Sequence, residues 1–276
     1  MTCLVVSPHL DDAVLSIGGS IARWVAGGER VVIASVYTTG PALETLAPSM
    51  RKFADYARRR AEDDAACAGL GAEVRRLEQT ERAFRPPYLT GWSFFTTPPA
   101  RDGFAALPEV TAALEPLAAL DPARILVPLG IGNHVDHVEA LLAATDWAIA
   151  RGWRDRLRFY EDFYALSRTM RAEHPIARQR MWRRRRSPLV RSRQLARILR
   201  MIAEARGGPD VTALLDPALR DATWTVKASP IDERAKLAAI AAYPSQTAAF
   251  GGLDGIARAV RAYDAWWGGE PLWRAN

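Results

Sequence analysis

The chain has 276 residues, 49% hydrophobic and 25% charged, which suits a folded globular protein able to bury a core without staples and excludes a disordered or collagen-like one. No apolar stretch reaches the roughly 18 residues of a membrane helix, and the opening MTCLVVSPHLDD has no basic leader, so no signal peptide is expected. Two cysteines, Cys3 and Cys67, lie in apolar settings and read as reduced core residues, consistent with a cytoplasmic location.

Taken in chain order, residues 3–6 form an apolar run ending at Ser7-Pro8, the pattern of a strand buried on both faces. Val14, Ile17, Ile21 and Val25 then recur at helical spacing until Gly27-Gly28. Residues 31–37 predict a second strand, 51–69 a long amphipathic helix, 73–77 a third strand and 107–119 a helix with Pro108 in its first turn. A fourth strand at 125–128, a helix from about 136 to 150 and a fifth strand at 157–160 follow. The alternation predicts an α/β fold, Rossmann-like, with a mostly parallel sheet, right-handed crossovers and flanking helices. Its ligand site belongs outside the carboxyl ends of the strands. Beyond residue 165 the alternation stops, leaving a strand-like stretch at 223–226 and helices near 231–242 and 253–267. One domain over 1–276, with a basic helical insertion at about 168–206, is the expected organisation.

The net charge of +6 is concentrated in that insertion. Thirteen Arg against Glu173 and Glu204 give it +11, leaving −5 on the rest, and Arg183–Arg186 is its centre. A solvated helical face is the favoured reading, because the chain uses Arg almost exclusively over Lys. An anionic surface or nucleic acid is the competing partner, with nucleic acid the less expected. The stretch 85–104, with Tyr88, Trp92, Phe94 and Phe95, reads as a lid or binding loop. Trp266-Trp267 read as packing residues, and His174 is given no role.

Three of the four histidines fall just past two predicted strand ends, in Pro8-His9-Leu10-Asp11-Asp12 and His134-Val135-Asp136-His137. Within each motif two side chains three residues apart share a face. Two imidazoles and one carboxylate make a three-ligand zinc set with the fourth position open to water. The neighbouring Asp diverges and suits a proton acceptor; a further His suits an oxyanion or leaving amine. Asp136 suits a partner for a ring N–H. The same ligand types also make the iron(II) triad of oxygenases, a competing reading that the α/β pattern disfavours.

These two motifs, with Gly18-Gly19 between them, resemble those of the LmbE-like, PIG-L-type zinc de-N-acetylases. The resemblance covers about residues 2–165, with a weaker match near Lys236–Gln246 that includes Tyr243-Pro244-Ser245-Gln246. It implies hydrolysis of the acetyl or acyl amide of an N-acetylated amino-sugar conjugate. It further implies His9, Asp12 and His137 as ligands of Zn2+ (Fe2+ as the alternative), Asp11 as general base, and His134 as an aid to the transition state. Arg59, in an Arg-x-x-Glu pattern with Glu62, is a candidate substrate contact under the same resemblance; Glu81 and Arg85 follow the third strand and are candidate partners of sugar hydroxyls. Many members carry Glu after the paired Asp where this chain has Ala13, which points to a subgroup with a different substrate.

Overall fold

The computed structural model describes residues 1–46, 51, 54–87, 93–183 and 187–276. Seven strands form one sheet: β1 (Thr2–Ser7), β2 (Arg30–Thr39), β3 (Glu73–Thr80), β4 (Arg124–Pro128), β5 (Leu157–Tyr160), β6 (Trp224–Ser229) and β7 (Glu270–Ala275), in the order β3-β2-β1-β4-β5-β7-β6. The first five are parallel; β7 runs antiparallel to both β5 and β6. β1 is fully buried over Cys3–Val6, as its continuous apolar run requires. The chain leaves β1 toward β2 on one side and returns to β4 on the other, so the strand order reverses between β1 and β4. A crevice opens at the carboxyl ends of such a pair.

Helices α1 (Asp12–Ala26), α2 (Tyr56–Leu70), α3 (Leu107–Leu114) and α4 (Val135–Ala150) make the crossovers. The helix expected over 51–69 is interrupted at Asp55: Arg51 and Ala54 are helical, and α2 starts anew at Tyr56, capped by the Asp55 side chain, which accepts from Arg58 N at 3.1 Å. The helix predicted over 107–119 is α-helical only to Leu114. Pro116 has no N–H for an i−4 bond, and Glu115–Leu120 tightens to 3₁₀. β7 was invisible in the pattern: six residues carrying Pro271 and two charges show no alternation, and the neighbours on either side bury it.

The remaining helices are α5 (Arg168–Glu173), α6 (Arg193–Ala205), α7 (Pro217–Arg220), α8 (Glu233–Ala241), α9 (Pro244–Ala249) and α10 (Leu253–Trp267). The basic segment is partly the solvated face expected: α6 buries Leu195, Leu199 and Ile202 and exposes Arg193, Arg197 and Arg200. Arg171 is the exception. It is fully buried, paired with Glu161, and bonded to Tyr263 Oη and Arg180 O at 2.9 Å each. Arg184–Arg186 lie outside the described residues. Trp267 is buried and Trp266 packs against Trp182, as packing residues should. His174 is satisfied by Leu129 O and Ala177 N, and both cysteines are buried and free.

A second buried network joins α1 to the C-terminal elements. Ile17 leaves helical geometry (φ −131°, ψ 22°), which frees backbone groups in mid-helix. Glu270 accepts from Gly19 N and Ser20 N at 3.1 and 2.7 Å. Lys236 Nζ reaches Ser16 O at 3.4 Å, Asp264 at 3.0 Å and Glu270 at 2.7 Å. A Cβ at Gly19 would stand 2.7 Å from Ile231 Cβ, so only glycine admits this approach.

Candidate active site

The turn after β1 and the turn into α4 meet at the sheet's switch point. His9, Asp11 and Asp12 come from the first, His134, Asp136 and His137 from the second, and each is at most 8% exposed. The chain reverses after β4 through Gly130 (φ 76°), Gly132 (φ 96°) and Asn133 (φ 57°). At Gly132 a Cβ would press on Tyr164 Cβ at 3.1 Å. The three imidazoles form a triangle with centroid separations of 5.0, 5.0 and 5.2 Å.

Among the described residues, two groups each bring their possible ligand atoms within 4.8 Å of one another, His9–Asp12–His137 and His9–His134–Asp136. Hydrogen bonding separates them. Asp12 Oδ2 lies 2.9 Å from His9 Nδ1 and 3.2 Å from His137 Nε2. The opposite ring nitrogens are held by carboxylates: His9 Nε2 by Asp136 at 3.1 Å and His137 Nδ1 by Asp162 at 2.6 Å. His137 Nε2 is buried and makes no hydrogen bond. A buried ring nitrogen without a hydrogen bond, beside a carboxylate and with its partner nitrogen anchored, is the donor arrangement of a metal-binding histidine. Asp136 is by contrast already engaged: it accepts from Arg82 N at 3.0 Å and Arg85 Nη2 at 2.9 Å as well as facing His9. The first group therefore fits a divalent cation, and Asp136 fits the role of orienting His9. The ring N–H that Asp136 meets is that of His9, in the opposite turn.

No side chain among the described residues donates to Asp11. Burial, and then the adjacent Asp12 charge, push its carboxyl up to about 6. Burial also works against Asp12, but His137 and His9 outweigh it and hold that carboxyl well below the ordinary range. His137 is raised to about 9, Asp12 and Asp162 overcoming its burial. His134 is held well below its ordinary value by burial and by the neighbouring His9 and His137. His134 Nδ1 accepts from Asp136 N at 3.2 Å, so the neutral ring carries its proton on Nε2.

The residues expected to meet substrate are engaged with one another or with neighbouring carboxylates. Arg59 Nη1 bonds Glu81 at 2.5 Å, not Glu62, and both Arg59 and Glu62 are buried. Glu62 instead pairs with Arg58 and Ser245. Arg85 bridges Asp136 and Glu139, and Glu139 also accepts from Tyr37 Oη at 2.6 Å. In the aromatic stretch, the Phe95 ring packs edge-on against His134 and Tyr164 at 4.9 and 5.2 Å; Tyr88, Trp92 and the Phe94 side chain lie outside the described residues.

Asp162 escaped the sequence reading. Its one signal was position, just past β5 and so at the same end of the sheet as the two motifs. It anchors His137 and accepts from Ile131 N at 2.9 Å, tying that ring to the β4 loop. Replacing Asp162 with Ala is expected to weaken metal binding by about 10–100-fold. Competition with a chromogenic chelator checks this; an unchanged dissociation constant would remove Asp162 from the site.

The sheet order, the His-Asp-His cluster at its switch point and the adjoining carboxylate define an α/β protein with the donor set of a metal-dependent hydrolase. The profile of the PIG-L family, described as GlcNAc-PI de-N-acetylase, matches residues 4–148, and the chain belongs to that family. A 1D-myo-inositol 2-acetamido-2-deoxy-alpha-D-glucopyranoside deacetylase of Actinosynnema mirum is 31% identical over 145 residues, covering 50% of this chain and 51% of that protein. The chain thus spans about half the length of the curated relative it matches. In fold it is similar to a deacetylase of teicoplanin biosynthesis (TM-score 0.70, 21% identity, 99% of this chain and 97% of that one). The A40926 pseudoaglycone deacetylase is likewise similar (TM-score 0.65, 23% identity, 99% and 96%). No helix among the described residues is long and apolar enough to cross a membrane.

Proposed function

We propose that this protein is a metal-dependent amidohydrolase that removes the acetyl group from an N-acetylated amino-sugar conjugate. The convergence of His9, Asp12 and His137 with Asp11 alongside, in a PIG-L family chain, carries this reading. His9, Asp12 and His137 would hold the ion, zinc by this reading and iron(II) as its substitute. Bound there, a divalent cation supplies Lewis acidity, lowering the pKa of a water toward roughly 7 and polarising the amide carbonyl.

Asp11 accepts the proton of the attacking water, being the carboxylate of its turn that no imidazole engages, and passes it on toward the departing amine. His134, neutral with its proton on Nε2, donates to the carbonyl oxygen as that oxygen gains charge. Asp136 and Asp162 hold the His9 and His137 rings in place. The Arg59–Glu81 pair offers hydrogen-bonding groups suited to sugar hydroxyls, whereas Phe95 and Tyr164 make an apolar wall suited to the acetyl methyl.

The test is metal analysis followed by assay of free amine from N-acetylglucosaminyl conjugates, beginning with the inositol glycoside. A strong chelator is expected to abolish amine release, and added zinc to restore it, equally in anaerobic buffer. Activity that survives full metal removal would defeat the hydrolase reading. Dependence on oxygen and a 2-oxo acid would favour the iron oxygenase instead.

A further inference from the structure

The turn of residues 8–11 carries His9 and Asp11, and its carbonyl groups can be accounted for one by one. Pro8 O accepts from Tyr37 N at 2.9 Å, His9 O from Ser7 Oγ at 2.6 Å, and Asp11 O from Leu15 N at 2.9 Å. These donors come from β1, β2 and α1, the elements the turn connects. The carbonyl between the two functional residues, that of Leu10, is different. It accepts from Tyr243 Oη at 3.0 Å, a side chain 233 residues further along the chain.

Tyr243 stands at the junction of α8 and α9 and is 1% exposed. Its junction is fastened to α2 twice. Ser245 bonds Glu62 through Oγ at 2.5 Å and through its backbone N at 3.2 Å. The Tyr243 hydroxyl also lies 2.9 Å from Asp63 Oδ1.

We infer that Tyr243 is a positioning residue for the reaction, aiming the Asp11 carboxylate by holding the Leu10 carbonyl. The inference rests on the role given to Asp11 above. A peptide plane is rigid, so fixing the Leu10 carbonyl fixes the amide that leads into Asp11. Losing that bond leaves a buried carbonyl without a donor at the one joint between a candidate metal ligand and the candidate base.

Asp63 is the second acceptor of the hydroxyl. Tyr243 has one hydroxyl proton and two acceptors within reach, Leu10 O at 3.0 Å and Asp63 Oδ1 at 2.9 Å, which share it. Burial pushes Asp63 up to about 6, Tyr243, Arg76 and Cys67 pulling the other way. The amide of Asp63→Asn can donate to the Tyr243 oxygen, which leaves the hydroxyl proton to Leu10 O.

The experiment compares wild type, Tyr243→Phe and Asp63→Asn by amide hydrogen exchange, with kcat and KM measured in parallel. Tyr243→Phe is expected to lower protection about tenfold over residues 9–15 while the β2–β3 region is unchanged. It should lower kcat about tenfold with KM and metal content unaltered. Asp63→Asn should match wild type on both readouts. Unchanged exchange over residues 9–15, or a loss of protection spread evenly over the sheet, overturns the inference. Should Tyr243→Phe not fold, Asp63→Asn decides: a turn as protected as wild type supports the inference, and a loosened one overturns it. Because exchange needs no substrate, a wild-type protein silent on every amino sugar would sink the proposed activity without touching this result.

Discussion

Asp11→Asn is expected to lower kcat by about 10²–10⁴-fold, the range general-base catalysis contributes, with metal content unchanged. The expectation follows from how the first turn divides its carboxylates. Asp12 faces His9 and His137, while no side chain among the described residues donates to Asp11. The asparagine keeps the volume and polarity of the side chain but cannot take up a proton at neutral pH. Binding of substrate and ion should therefore survive, and the loss should fall on kcat. Metal analysis and steady-state kinetics on the same preparation separate the two. A variant that retains its ion and full turnover would show that the base lies elsewhere; one that loses the ion would make Asp11 a ligand.

Glu270→Ala is expected to lower folding stability by about 3–5 kcal/mol, the cost of breaking a buried ion pair by removing one partner. Glu270 is fully buried and carries two tasks. It pairs with Lys236, itself 1% exposed, and it accepts from the Gly19 and Ser20 N–H groups just past the Ile17 kink. The alanine strands a buried ammonium and two amides at once, although Asp264 still faces Lys236. Urea unfolding at constant m-value measures the loss. A change under about 1 kcal/mol would mean that water or Asp264 takes over both tasks. The active-site turn lies at the start of the same helix, so a milder Glu270→Gln should show whether α1 must be locked at its kink for turnover.

Much of the parallel half of the sheet was readable because it is locally encoded. Residues 3–6 and 157–160 are apolar runs too short for helices, and the Val14–Val25 spacing allows little else. The C-terminal third was less legible. β7 has no pattern of its own and exists because β5 and β6 both pair with it. Arg171 looks like one more arginine of a basic segment, yet it is buried because Glu161, directly after β5, pairs with it. Charge composition reports how many guanidinium groups a segment carries and nothing about which of them finds a carboxylate.

The site divides in the same way. Sequence alone determined the chemical inventory: three imidazoles and their carboxylates in two short motifs, each behind a strand that must end at one edge of a parallel sheet. Only the tertiary structure decided the pairings. Asp136 serves a ring of the opposite turn, Asp162 joins from a third strand, and Tyr243 reaches Leu10 from beyond the residues that the family profile matches. Side-chain type and local spacing are written in the chain, whereas a hydrogen bond between residues 25, 127 or 233 positions apart depends on how the sheet brings those segments together.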